Sequence, residues 1–153
     1  MRLVTFQLPG GGADSVRAGI HLEDGRILDL AEADAQFEDT SVLDVVAHSD
    51  YLLPRAQALA ATVDEIHPGA FVSEREVQLL APIPRPVSMR DGYAFRQHVE
   101  TARRNRGLGM IPEFDLFPVF YFTNHLAVIG PGVLRVGGAR LKFDPHCAAT
   151  AAL

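Results

Sequence analysis

Three prolines within five residues, Pro82, Pro84 and Pro86 in the string APIPRPVSM, constrain this chain more than any other feature. Each fixes its own φ, lacks an amide donor and biases the preceding residue away from helix. Residues 81–86 therefore read as an extended connector, and the chain divides near residue 80 into an N-terminal domain (1–80) and a second domain (81–153). A chain of 153 residues suffices for one ordinary domain, or for a small domain plus part of another. Apolar residues at 48% and charged residues at 22% provide material for a core.

Several function classes are disfavoured at once. No apolar run approaches the roughly 20 residues that span a bilayer. The opening MRLVTFQLPGG has no signal-peptide pattern, so a cytoplasmic protein without a membrane partner is expected. Cys147 is the only cysteine, which excludes an internal disulfide and a multi-cysteine metal site. A net charge of -5 argues against a nucleic-acid partner. That charge is uneven: residues 23–50 are acidic, while residues 85–106 hold Arg85, Arg90, Arg96, Arg103, Arg104 and Arg106. Such a basic block reads either as a solvated helix face or as an attraction for a small anionic substrate.

Before the connector, residues 2–8 alternate as a strand, and residues 17–22 and 26–30 flank Glu23-Asp24-Gly25 as a hairpin. Thr40 or Ser41 caps a helix through Val42, Leu43, Val45 and Val46, with Asp44 complementing its N-terminus. Residues 51–66 read as a second helix with Pro54 in its first turn, stopped by His67-Pro68-Gly69. His21 reads as structural, and His48 and His67 as helix-end residues. Residues 77–80 suit a short strand. The fold class is α+β.

Beyond the connector the chemistry is concentrated in residues 88–132. Asp91 reads as a helix N-cap, followed by the stripe Phe95, Val99 and Ala102, with Gly107 or Gly109 closing the helix. Asp91 and His98 are seven apart and would share one helix face. Residues 118–122 suit a buried aromatic strand. A cleft-facing carboxylate suits a hard cation, and an imidazole suits proton transfer, but a plain cap and a core histidine are equally ordinary uses. Tyr93 and Tyr121 read either as core aromatics or as cleft hydroxyls. Glu113 and Asp115 read as solvated loop acids, and His125 as structural or a cleft wall.

The strings RDGYAFRQHVETAR and PEFDLFPVFYFTNHLAVIGPG resemble the opening of the catalytic domain of the fumarylacetoacetate hydrolase family. The preceding DGRILDL hairpin, short helices and LLAPIPRP connector are similar to that family's small N-terminal domain, so the resemblance covers roughly residues 1–135. It implies metal-assisted hydrolysis of a carbon–carbon bond in a small anionic dicarbonyl acid, within aromatic-compound breakdown. A magnesium or calcium ion would hold the substrate oxygens while a histidine-activated water attacks. On this chain Asp91 matches a metal-ligating carboxylate, His98 the water-activating histidine, and Tyr93 and Tyr121 substrate-contacting hydroxyls. Arg106, displaced by one place, is the counterpart of a carboxylate-binding arginine.

After Gly132 the chain departs from the pattern. The family's E-x-E pair of metal ligands is missing from VLRVGGARLKFDPHCAATAAL, as is most of its mainly-β catalytic fold. A truncated or frameshifted second domain, divergent from about residue 133, is expected. Two functional readings stay open: a fumarylacetoacetate hydrolase-like enzyme, or an inactive fragment acting as an interaction or oligomerisation module. Homodimerisation or self-association through exposed aromatics is expected in either case.

Overall fold

The computed structural model describes residues 1–12 and 15–132. The chain forms two compact units: Met1–Pro84 joined by 128–132, and Arg85–Ala127. Both helices and strands are present, so the fold class is α+β.

In the first unit β1 (Arg2–Gln7), β2 (Val16–His21), β3 (Arg26–Asp29), β4 (Phe71–Ser73) and β5 (Gln78–Leu79) form one antiparallel sheet in the order β4-β3-β2-β1-β5. The β2–β3 connection forms as expected, with one refinement. Only Gly25 takes a positive φ, +82°, so the hairpin closes through the three-residue loop Glu23-Asp24-Gly25, with Leu22 and Arg26 bonded across it. Asp24 caps the loop by accepting from the Arg26 amide at 3.0 Å and from Arg26 Nε at 2.7 Å.

One sheet face packs on helices. Ala18, Ile20, Leu28 and Leu30 join Phe37, Val42, Val45, Leu52 and Ala56 in the principal core. The single-turn helix α1 (Leu30–Ala33) is capped by buried Asp29, α2 (Val42–Ala47) by Ser41, and α3 (Leu52–Ala61) follows. Ser41 and Asp44 form a complete capping box. The opposite sheet face brings Phe6, Gly19 and Ile27 together; a Cβ on Gly19 would lie 2.7 Å from Ile27 Cγ2 and 2.9 Å from Phe6 Cε1.

The helix expected over residues 51–66 is shorter. It ends at Ala61, where the Thr62 amide is shared between the Ala58 and Leu59 carbonyls, and Val63–Glu65 continues as a 3-10 turn. β-Branched Thr62 and Val63 favour this tightening over further α-helix.

The proline connector is strapped to the first unit. Leu80 N donates to Thr5 O at 2.9 Å, and buried Thr5 Oγ1 donates to Pro82 O at 2.6 Å. This tether explains why the division falls after Pro84. The glycine turn returns to the same unit: a Cβ on Gly130 would lie 2.6 Å from Leu80 Cα, an approach that only glycine permits. The expected divergent tail lies outside the described residues.

Candidate functional site

The second unit is built on a ribbon of β6 (Arg90–Gly92) and β7 (Phe120–Phe122), with α4 (Arg96–Arg104) between them in sequence. The strands pair antiparallel with Arg90 opposite Phe122, Asp91 opposite Tyr121 and Gly92 opposite Phe120. Outside these pairs, Thr123 N donates to Met89 O at 3.1 Å and Tyr93 N to Val119 O at 2.9 Å.

This ribbon corrects the expected role of Asp91. It does not cap a helix; it is the central residue of β6, and α4 starts five residues later behind Phe95. The backbone of Asp91 is committed to the ladder opposite Tyr121, and Gly92 beside it is a poor first-turn residue. The helical relation between Asp91 and His98 is lost with it. Only Val99 of the expected stripe is buried; Phe95, at 78% exposure, precedes the helix. The end of α4 is as read: Gly107 takes φ +72°, with Leu108 N bonded to Arg103 O and Gly107 N to Arg104 O.

Alternation along the ribbon sorts its side chains onto two faces. Asp91, Tyr93 and Tyr121 share one, where the two tyrosine rings meet edge-on with centroids 6.5 Å apart. Arg90, Phe120 and Phe122 share the other: the Arg90 guanidinium lies 4.8 Å from the Phe122 ring centroid and 5.8 Å from that of Phe120. The strand whose composition suited burial is open, as expected of its aromatics without the family's covering strands. Phe120 is 48% exposed and Phe122 67%, because a two-stranded ribbon offers no second layer to cover them.

Of the five residues singled out beforehand, the ribbon thus unites Asp91, Tyr93 and Tyr121. His98, exposed on α4, and Arg106, exposed after it, make no side-chain hydrogen bond or ion pair among the described residues. Most of the arginine block is already engaged. Arg96 pairs with Asp115, Arg103 donates to Gly109 O, Arg104 to Thr101 Oγ1, and Arg90 to Ser88 Oγ. Asp115 is solvated as expected, its side chain 63% exposed, and its pair with Arg96 also fastens its loop to α4.

Long-range partners were not visible along the chain. His21 Nε2 lies 2.8 Å from Glu74 Oε2 across 53 residues, and His67 Nε2 lies 3.1 Å from Glu32 O. The stacking role of Arg90 becomes legible only once Asp91 is registered on Tyr121.

Among the described residues, no three His, Cys, Asp or Glu side chains form a group that could hold a metal ion. The donor set around Asp91 therefore does not fit the implied cation as a complete site. In the first unit a cavity of 690 Å³ is lined by Thr5, Arg17, Glu32, Phe37 and Ser41 among others. Its cation is already balanced, with Arg17 Nη1 3.8 Å from Asp29 and 3.7 Å from Glu32. Burial nevertheless raises the Asp29 carboxyl above the ordinary carboxylate range, with Arg17 only partly offsetting it.

No helix among the described residues is long and apolar enough to cross a membrane. No family model matches this chain, and no curated protein matches it.

Proposed function

We propose that this chain is a fumarylacetoacetate hydrolase-like protein carrying one wall of a carbon–carbon hydrolase site for a small anionic dicarbonyl acid. One observation carries the reading: Asp91, Tyr93 and Tyr121, which match the family pattern yet stand up to 30 residues apart, share one ribbon face. Two phenolic hydroxyls beside a carboxylate are suited to orienting a dicarbonyl acid, the hydroxyls donating to its oxygens. His98 as the group that moves a proton and Arg106 as the carboxylate anchor rest on the resemblance alone. Magnesium or calcium is the implied cofactor, but the described donors supply too little of its shell, so no step is routed through it.

Turnover by the chain alone is expected to be slow. A general base works when it is oriented by a second group, and His98 makes no side-chain hydrogen bond among the described residues. Calorimetric titration with acetylpyruvate, with and without magnesium, tests the reading. Weak, saturable binding is expected, reduced several-fold in Tyr93→Phe and Tyr121→Phe, with any magnesium-dependent part lost in Asp91→Asn. No heat at millimolar ligand, or binding indifferent to all three substitutions, would contradict it.

A second reading, an oligomerisation module, draws on Leu116 at 76%, Phe117 at 55% and Phe122 at 67% exposure. Apolar side chains of this size left open favour association. Sedimentation over a hundredfold concentration range checks it, with a concentration-independent monomer as the contrary result.

A further inference from the structure

We infer that Arg90 is a positioning residue: by clamping Phe122 and Phe120 on one ribbon face it holds the register that places Asp91 with Tyr93 and Tyr121 on the other. The inference rests on the reading of that second face as the substrate wall.

Register is the weak point of this ribbon. It has only three residue pairs, and an isolated two-stranded ribbon is marginal in water. A slip of one residue moves every side chain of one strand to the opposite face, so Asp91 would join Phe120 and Phe122 instead of Tyr121. The two flanking bonds, Thr123 N to Met89 O and Tyr93 N to Val119 O, identify 89–123 and 93–119 as hydrogen-bonded pairs. Alternation then makes Arg90–Phe122 and Gly92–Phe120 the non-hydrogen-bonded pairs, where side chains across the ladder approach most closely.

Arg90 occupies that close position with its guanidinium 4.8 Å from the Phe122 centroid and 5.8 Å from the Phe120 centroid, while Nη1 donates to Ser88 Oγ at 3.0 Å. The two rings meet at 82° with centroids 6.0 Å apart, forming one aromatic corner for the cation. Gly92, opposite Phe120, adds no side chain between them. A slipped ladder would set Arg90 across from Tyr121 or Thr123 and break the corner. The clamp is exposed, where a cation–aromatic contact contributes about 0.5–1 kcal/mol, equivalent to a two- to five-fold change in the ratio of registered to slipped ribbon.

The test is NMR on the full chain without ligand. The reporter is the Hα–Hα contact between Gly92 and Phe120, with the Tyr93–Tyr121 ring contact as a second. Arg90→Met keeps the stem and removes the charge; it is expected to weaken both contacts, with the ratio of registered to slipped ribbon falling two- to five-fold, while the Ile20 and Leu28 amides stay in place. Phe122→Leu should do the same and should move the Arg90 side-chain protons out of their ring-current shift. Phe122→Tyr should restore both, and the double variant Arg90→Met/Phe122→Leu should cost no more than either single change. Unchanged contacts in Arg90→Met, strictly additive losses, or loss of register in Phe122→Tyr would overturn the inference. Because register is read without ligand, a negative result here leaves the calorimetric reading standing, and a negative titration leaves the clamp standing.

Discussion

Gly19 shows how far one residue can be decided by packing. A methyl there would sit 2.7 Å from Ile27 Cγ2, 2.8 Å from Leu28 O and 2.9 Å from Phe6 Cε1, against side chains that are themselves fully buried. Gly19→Ala is therefore expected to destabilise the first unit by about 1–3 kcal/mol, read as a lower urea midpoint with unchanged slope. The carboxylates set the acid behaviour. The Asp34 carboxyl is held below its ordinary range by its hydrogen bond from Arg55, and that of Asp44 by the Ser41 hydroxyl. Groups lowered in this way stabilise the fold above the unfolded carboxylate value of about 3.9 and lose that contribution as pH falls through their lower folded values. Asp29 has the opposite sign: burial raises it, so its contribution is present below the unfolded value and is lost as pH rises through the raised one. Asp29→Asn keeps an oxygen to cap α1, and its stability relative to the parent should improve as pH rises from the unfolded carboxylate value of about 3.9 through the raised folded value. A gap that is flat or reversed over this range in pH-dependent urea unfolding would contradict the assignment.

At the scale of elements, what was legible in the sequence was local. The capping box depends on Ser41 and Asp44, three residues apart, and the hairpin on Glu23-Asp24-Gly25; both pairings close within a few residues, so propensity and spacing reach them. The Gly107 helix end is local in the same way, and Gly107→Ala should cost about 1 kcal/mol because alanine disfavours φ +72°. Faster amide exchange at the C-terminal turn of α4, without change in the first unit, is the expected signature. Asp91 was misplaced because its ladder partner Tyr121 is 30 residues away, and acid-then-helix spacing imitates a cap. The same reason hid the Arg90 clamp, the His21–Glu74 pair and the role of Asp115. Proline and glycine punctuation marked the connector, while the Thr5–Pro82 bond, which ties the chain to the first unit beyond the expected border at residue 80, came from β1; the unit runs on to Pro84, four residues past that border.

The whole molecule is an antiparallel sheet with helices on one face, followed by a smaller unit whose ribbon bears the candidate chemistry. The largest fully buried side chains, Phe6, Phe37, Ile20, Ile27, Leu28, Leu30 and Val45, all belong to the first unit, whereas Phe95, Leu116, Phe117 and Phe122 of the second are each more than half exposed. If association runs through this surface, Phe117→Ser with Phe122→Ser should shift sedimentation toward the monomer by about tenfold in apparent Kd, the scale of roughly 1.4 kcal/mol. The α+β architecture was readable beforehand from alternating strands and capped helices; composition suited the aromatic strand to burial, while the absence of the family's covering strands led to the expectation of exposed aromatics, and the exposed form is the one found. The central claim is that the Asp91 face of the ribbon binds a dicarbonyl acid. Amide and tyrosine-ring shifts followed by NMR during an acetylpyruvate titration test it most directly. Saturable shifts are expected at Asp91, Tyr93 and Tyr121, with Ile20 and Leu28 unmoved. Shifts confined to the first unit, or none at millimolar ligand, would contradict it.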